Sequence, residues 1–198
     1  MAKNKVKYNL KNAHYAMLTV DEEGTVSYAS PVALPGAVSI SLDANGEPEN
    51  FYADGVAYYV INNNMGYDGD LELAMIPEDF RVSALNETLD DKKVLIENAN
   101  TELNPFALLF EFDGDVKHIR HVLYNCSASR PGIEGKTNEE NREVQTETLS
   151  IKATPLASGV VKAKTGDSTD AAVYADWYKA VYMPSIAETG SGTDQVGV

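Results

Sequence analysis

Hydrophobic positions in this chain recur at a period of two far more often than at helical spacing, and residues 105–126 show it best. Phe106, Leu108, Phe110 and Phe112 share one face, Asp113-Gly114-Asp115 supplies the residues of a tight turn, and Val116 to Cys126 reads as the returning strand. On that strand Ile119 and Leu123 fall on one side, with Val116, Val122, Tyr124 and Cys126 on the other, so neither face is left to solvent. The pattern predicts a mainly β protein.

Other segments follow the same rule. Val38, Ile40 and Leu42 alternate with serines after the turn-rich stretch Pro31 to Gly36, as a half-buried strand does. Phe51 to Asp54 and Val56 to Ile61 are rich in β-formers on both sides. From Tyr67 the two faces separate sharply, with Leu71, Leu73 and Met75 on one and Asp68, Asp70 and Glu72 on the other. Pro77-Glu78-Asp79 opens a brief helix that carries Phe80, Ala84 and Leu85. Asp90 to Lys93 is a turn before a short strand at Val94-Leu95-Ile96, and 129–141 reads as a long polar loop. One face of the next segment runs Glu143, Gln145 and Glu147 and then Leu149, Ile151 and Ala153, which is a strand that outruns its own core. Gly159 to Thr165 is the last predicted strand. Ser168-Thr169-Asp170 caps a helix with Tyr174, Trp177, Tyr178 and Val181 at helical spacing, which Pro184 stops. The segmentation is an extended N-terminal arm over 1–20, a β-sandwich with one or two flanking short helices over 21–184, and a loose tail over 185–198.

Composition narrows this picture. A chain of 198 residues with 43% hydrophobic positions can bury one substantial core. Its apolar runs stop well short of the roughly 18–20 residues that span a bilayer, and no apolar stretch follows the lysine-bearing N-terminus, so the reading is a chain without membrane anchor or export signal. A single cysteine, Cys126, leaves the fold to packing rather than to an internal disulfide, which suits a reducing cytoplasm. The charge is lopsided, with 16 Lys and Arg against 30 Asp and Glu giving −14. Lys3, Lys5, Lys7 and Lys11 make the first twenty residues +4, leaving −18 on the rest. A body this acidic repels phosphates, which argues against sequence-specific DNA binding, while the charge contrast favours docking of the arm on a neighbouring copy.

Candidate chemistry is thin. Gly132 to Thr137 has two residues between its glycines where a phosphate loop needs four, and Arg130 stands in the first glycine's place. Asp68, Asp70 and Glu72 open like a calcium loop, but Leu73 occupies the position of the obligatory glycine and Asp79 that of the bidentate glutamate. His118 and His121, three apart on a predicted strand, point to opposite faces, and His14 is isolated. Cys126 has no partner cysteine or evident base, and the abundant carboxylates single out no acid/base pair. Trp177 and Tyr178 match a buried stripe better than a ligand platform. No residue set nominates an enzyme, a metal or a cofactor.

The order of several segments is similar to the major tail protein, or tail tube protein, family of long-tailed, non-contractile bacteriophages of Gram-positive hosts. The matching stretches are 12–16, 34–42, 51–54, 66–72, 106–112, Gly114-Asp115, 124–126, Arg130-Pro131, 146–149 and 177–184. Asn86-Glu87-Thr88 departs from the family pattern, which carries a glycine after the short helix. The resemblance implies a structural virion protein without catalysis or cofactor, made in the host cytoplasm. It implies a sandwich that assembles into hexameric rings, whose strands complete an inter-subunit β-barrel and whose stacking forms a tube. Its partners would be further copies of itself, a tape measure protein, and tail terminator and distal tail proteins, with double-stranded DNA crossing the lumen unbound. On this reading Lys3, Lys5, Lys7 and Lys11 serve inter-subunit contact, and Asp68, Asp70, Glu72, Glu143 and Glu147 are candidates to face the lumen. Two other readings are a tube protein of a phage-derived contractile particle, and a β-sandwich carbohydrate-binding or decoration module using Tyr58 or Tyr59.

Overall fold

A computed structural model describes residues 3–137 and 143–185. In chain order the strands are β1 (Lys7–Val20), β2 (Val26–Tyr28), β3 (Val32–Ala33), β4 (Ala37–Asn45), β5 (Glu49–Ala53), β6 (Val56–Ile61) and β7 (Gly66–Leu73). After helix α1 (Glu78–Ser83) come β8 (Thr88–Leu89), β9 (Leu95–Ile96), β10 (Phe106–Gly114), β11 (Ile119–Ala128), β12 (Glu147–Thr154), β13 (Lys162–Lys164) and helix α2 (Ala171–Asp176). The fold is mainly β with two short helices, as the alternating pattern predicts. The main sheet is antiparallel and runs β2-β1-β10-β11-β12-β7-β4, with β3 beside β1 and β13 beside β11. It does not close on itself among the described residues. It curls instead, so that β1 and β4 approach each other across the core.

That core lies inside the curl, where Tyr15, Phe106, Leu108, Phe110 and Leu123 from one half meet Leu71, Leu73, Leu149 and Ile151 from the other. Phe80 of α1 packs edge-on against both Tyr15 and Phe106 at one end. The outer face of β1, β10 and β11 is covered as well, because Ala16, Leu109, Val122 and Tyr124 pack under Trp177, which is only 2% exposed. Asp170 caps α2 by accepting from the amides of Ala172 and Val173, and the regular helix ends at Asp176, leaving Trp177 and Tyr178 in the turn that follows. The outer face of β12, β7 and β4 has no such cover among the described residues.

The N-terminal arm read over 1–20 is not a separate element. Residues 7–20 are β1 and sit between β10 and β2 in the sheet. Two bulges conceal the strand in the sequence: Asn9 and Asn12 adopt positive φ angles of 55° and 50°, which shifts the register and breaks the alternation. Their side chains bond to the neighbouring strand, Asn9 to Asp113 at 2.8 Å and Asn12 to Glu111 at 2.6 Å. The basic segment therefore meets the acidic body within its own chain. Lys11 pairs with Asp113 at 2.8 Å, Lys7 lies over the Phe112 ring, and the Lys5 amide donates to Asp115.

The turn between β10 and β11 also differs from expectation. Gly114 does not adopt a positive φ, and the strands end further out, at Gly114 and Ile119. Asn4 completes the turn, its side chain accepting from the amides of Val116 and Lys117 and donating to the Lys117 carbonyl. A register shift between Phe106 and Leu108 brings Cys126 onto the inner face with Leu123, away from Val122 and Tyr124. Val38 is the extra residue of a bulge in β4 and points away from the core, and Met75 lies beyond the end of β7, exposed. Of the predicted loop 129–141 and tail 185–198, residues 138–142 and 186–198 lie outside the described residues. No helix among the described residues is long and apolar enough to cross a membrane.

Candidate functional site

Three surface features stand out, and the hairpin β5–β6 is the first. Asp54 and Gly55 take φ angles of 52° and 78°, the two consecutive positive values of a type I′ turn, so the chain's tight two-residue hairpin is here and not at 113–115. Among the described residues the hairpin pairs only with itself. Phe51, Tyr52, Val56, Tyr59, Val60 and Ile61 are all exposed, and Tyr58 reaches 72%. An isolated two-stranded ribbon is marginal in water, and this one spends its β-forming residues on both faces without burying either. Between Lys11 and Arg81 the chain has no lysine or arginine, so the hairpin carries Glu49 and Asp54 uncompensated.

The second feature is the bare outer face of β4, β7 and β12. Pairing places Ser39, Ser41 and Asp43 beside Glu72, Asp70 and Asp68, which lie beside Thr148, Ser150 and Lys152. The three acids predicted to share a face therefore do so, and hydroxyls hold them: Ser150 donates to Asp70 at 2.8 Å, and Ser39 and Thr146 donate to Glu72 at 2.8 and 2.7 Å. Those two donors keep the Glu72 carboxyl below the usual carboxylate range. Asn45 donates to Asp68 at 2.6 Å, while the other carboxylate oxygen of Asp68 is enclosed without a partner among the described residues. Asp43 sits directly opposite Asp68, a like-charge pair that costs stability. Nowhere among the described residues do three or more His, Cys, Asp or Glu side chains converge as metal ligands.

Glu147 does not join this face and keeps the line with Leu149 and Ile151 that the alternation predicts. It lies on the inner side with Leu149 and Ile151, where its carboxylate accepts from the Ile76 amide at 2.6 Å and from Arg81 at 2.9 Å. Those bonds anchor the start of α1, so Glu147 is a structural acid. Glu143 and Gln145 precede β12, and Gln145 exchanges two bonds with the backbone of Lys136.

The third feature is a pocket of about 340 Å³ at the end of the curl from which the hairpin springs. Phe110, Phe112 and Leu123 form one wall and Ile40 and Leu42 the other, with Lys7 and Lys162 at its margin. Lys162 lies over the ring of Tyr67 and donates to its hydroxyl. His121 stacks on Phe110 with ring centroids 5.1 Å apart, and its pKa is lowered to about 4, first by burial and then by the ammonium groups of Lys164, Lys7 and Lys162. None of these three lysines forms an ion pair among the described residues. His118, by contrast, sits in the turn and pairs with Asp113 at 2.7 Å. Cys126 is fully buried, and burial pushes its thiol up to about 12, which removes it from nucleophilic chemistry.

The sequence shows the acidic face directly. It hides the pocket, which depends on the bulged register of β1 and on the length of β10–β11. No family model matches the chain, and no curated protein matches it.

Proposed function

We propose that this protein is a self-assembling structural subunit whose copies form stacked rings around an open bore, as the tail tube of a long-tailed bacteriophage requires. The observation that carries this reading is the hairpin β5–β6, an apolar ribbon with both faces in water. In a monomer such a ribbon is an aggregation hazard, whereas a neighbouring copy that covers it turns the hazard into an interface. The β4 edge supports the same reading, since nine residues of strand end the sheet without a partner among the described residues and can extend it into a second copy. A contact between unlike surfaces closes into rings when its rotation closes, and a second one repeated along an axis stacks them.

The acidic face suits the bore. Carboxylates repel phosphate within a Debye length of about 8 Å at physiological salt, so DNA slides past without capture. Lys152 on β12 is the single cation at the nine paired positions of that face. The exposed tyrosines of the hairpin support a second reading, a carbohydrate-binding module, and that protein would stay monomeric while binding glycan. Sedimentation over a range of concentrations with negative-stain imaging tests the proposal: long hollow polymers are expected, and a monomer at every concentration overturns it. Observation of the native particle then separates a bare flexible tube from one inside a contractile sheath.

A further inference from the structure

The two ends of the curled sheet carry complementary features. At the hairpin end, β10 and β11 run past β12, and the apolar pocket is lined by Lys7 and Lys162, with Lys164 near His121; no carboxylate among the described residues pairs with these three cations. At the opposite end, where β7 finishes and β12 begins, the loop after β11 presents Ile133 and Glu134 between Gly132 and Gly135. Ile133 is fully exposed.

The loop is nonetheless held at both sides. Arg130 pairs with Glu97 at 3.2 Å and donates to the Asn98 carbonyl, and Gln145 clamps the Lys136 backbone in both directions. A large aliphatic side chain held out on a fixed loop, with an acid next to it, is organised for contact before any partner arrives. Resting on the stacked-ring reading above, we infer that the lysine-rimmed pocket is the socket for the Ile133–Glu134 loop of a second copy stacked head to tail. The isoleucine fills the apolar floor while the glutamate meets the lysines. A pocket of about 340 Å³ is ample for one aliphatic side chain and the end of a glutamate. Because socket and plug sit at opposite ends of the same strands, the contact is heterologous and repeats along the strand axis, as a filament requires.

The test uses the full chain and the lowest concentration at which it polymerises. Ile133→Asp, Glu134→Lys and Lys162→Glu should each raise that concentration about tenfold or more, the change expected when a desolvated contact loses one partner. The two loop variants should melt at the parent temperature, since neither Ile133 nor Glu134 makes a hydrogen bond or ion pair among the described residues, whereas Lys162→Glu also loses its contact with Tyr67 and is therefore judged by the mixture below. An equimolar mixture of Glu134→Lys and Lys162→Glu subunits should polymerise nearly as well as the parent, because each variant's socket then meets the other's loop. Should the single variants polymerise normally, or the mixture stay as weak as its components while the parent forms tubes, the socket assignment is wrong and the tube reading stands. Rescue of Lys162→Glu by Asp54→Lys rather than by Glu134→Lys would give the socket to the hairpin and overturn the assignment too. A parent that never polymerises removes both.

Discussion

Three asparagines at positive φ shape this chain, and each replaces a feature that the alternation of hydrophobic residues cannot encode. Asn9 and Asn12 bulge β1, and Asn86, at φ 57°, ends the turn after α1. Asparagine tolerates the left-handed region, and Asn86 also donates to the Glu102 carbonyl at 3.1 Å, so the positive φ costs little there. Asn86→Ala should lower stability by about 1–2 kcal/mol and Asn86→Gly by less, measured by urea unfolding. His121 sets a different dependence. Its folded pKa of about 4 lies below its ordinary value of 6.5, so between these limits the unfolded chain binds more protons. Stability is therefore full above pH 6.5 and declines as the pH falls toward 4, by on the order of 2 kcal/mol. His121→Gln should flatten that slope, and an unchanged profile would assign the acid sensitivity elsewhere. Asp113 and Glu72, both with lowered pKa values, lose their contribution as the pH falls below their ordinary values of 3.8 and 4.5, so they add to the decline at the acid end of this window.

Among the elements, strands that alternate cleanly are legible in the sequence and bulged ones are not. β7, β10 and β12 follow from period two because their inner residues are leucine, phenylalanine and isoleucine without interruption. β1 escapes because its register shifts twice within eight residues, and a period-two reading puts Lys7 and Lys11 on a solvent arm. The same limit explains Cys126, which one bulge moves to the other face, and Glu147, whose place among polar neighbours hides a bond to Arg81 on another element. The acidic face needs only alternation and is readable; the socket needs six strands in register and is not. The hairpin belongs to neither case, since its residues read as strand and its isolation is a tertiary fact. Replacing residues 49–61 with a short glycine-containing turn should leave the melting temperature of the monomer within a few degrees, because the hairpin buries little of the core. It should abolish polymerisation, as scored by sedimentation.

For the whole molecule the two halves of the sheet divide the work. The half built from β1, β10 and β11 is packed on both faces and fixed by the buried pair of Glu111 with Arg120 at 3.0 Å, which ties the strands to the C-terminal segment through the Tyr174 carbonyl. The half built from β12, β7 and β4 is bare, polar and acidic on its outer side and ends in an open strand edge. A subunit arranged in this way presents one finished side and one unfinished side. If the unfinished side encircles the bore, replacing Asp68, Asp70 and Glu72 together with lysine should slow genome release from intact particles while leaving particle number unchanged. Release at the parental rate would place that face away from the DNA.

The stretch from Lys11 to Arg81 has a practical outcome. Trypsin finds no cleavage site anywhere in the projecting ribbon, although nothing in the solitary subunit shields it. Chymotrypsin finds four, at Phe51, Tyr52, Tyr58 and Tyr59, and should nick the dissociated chain there within minutes. The assembled form should resist the same digestion, so a pair of proteases with opposite tastes can report, on a gel, whether one subunit's ribbon has been sheathed by the next.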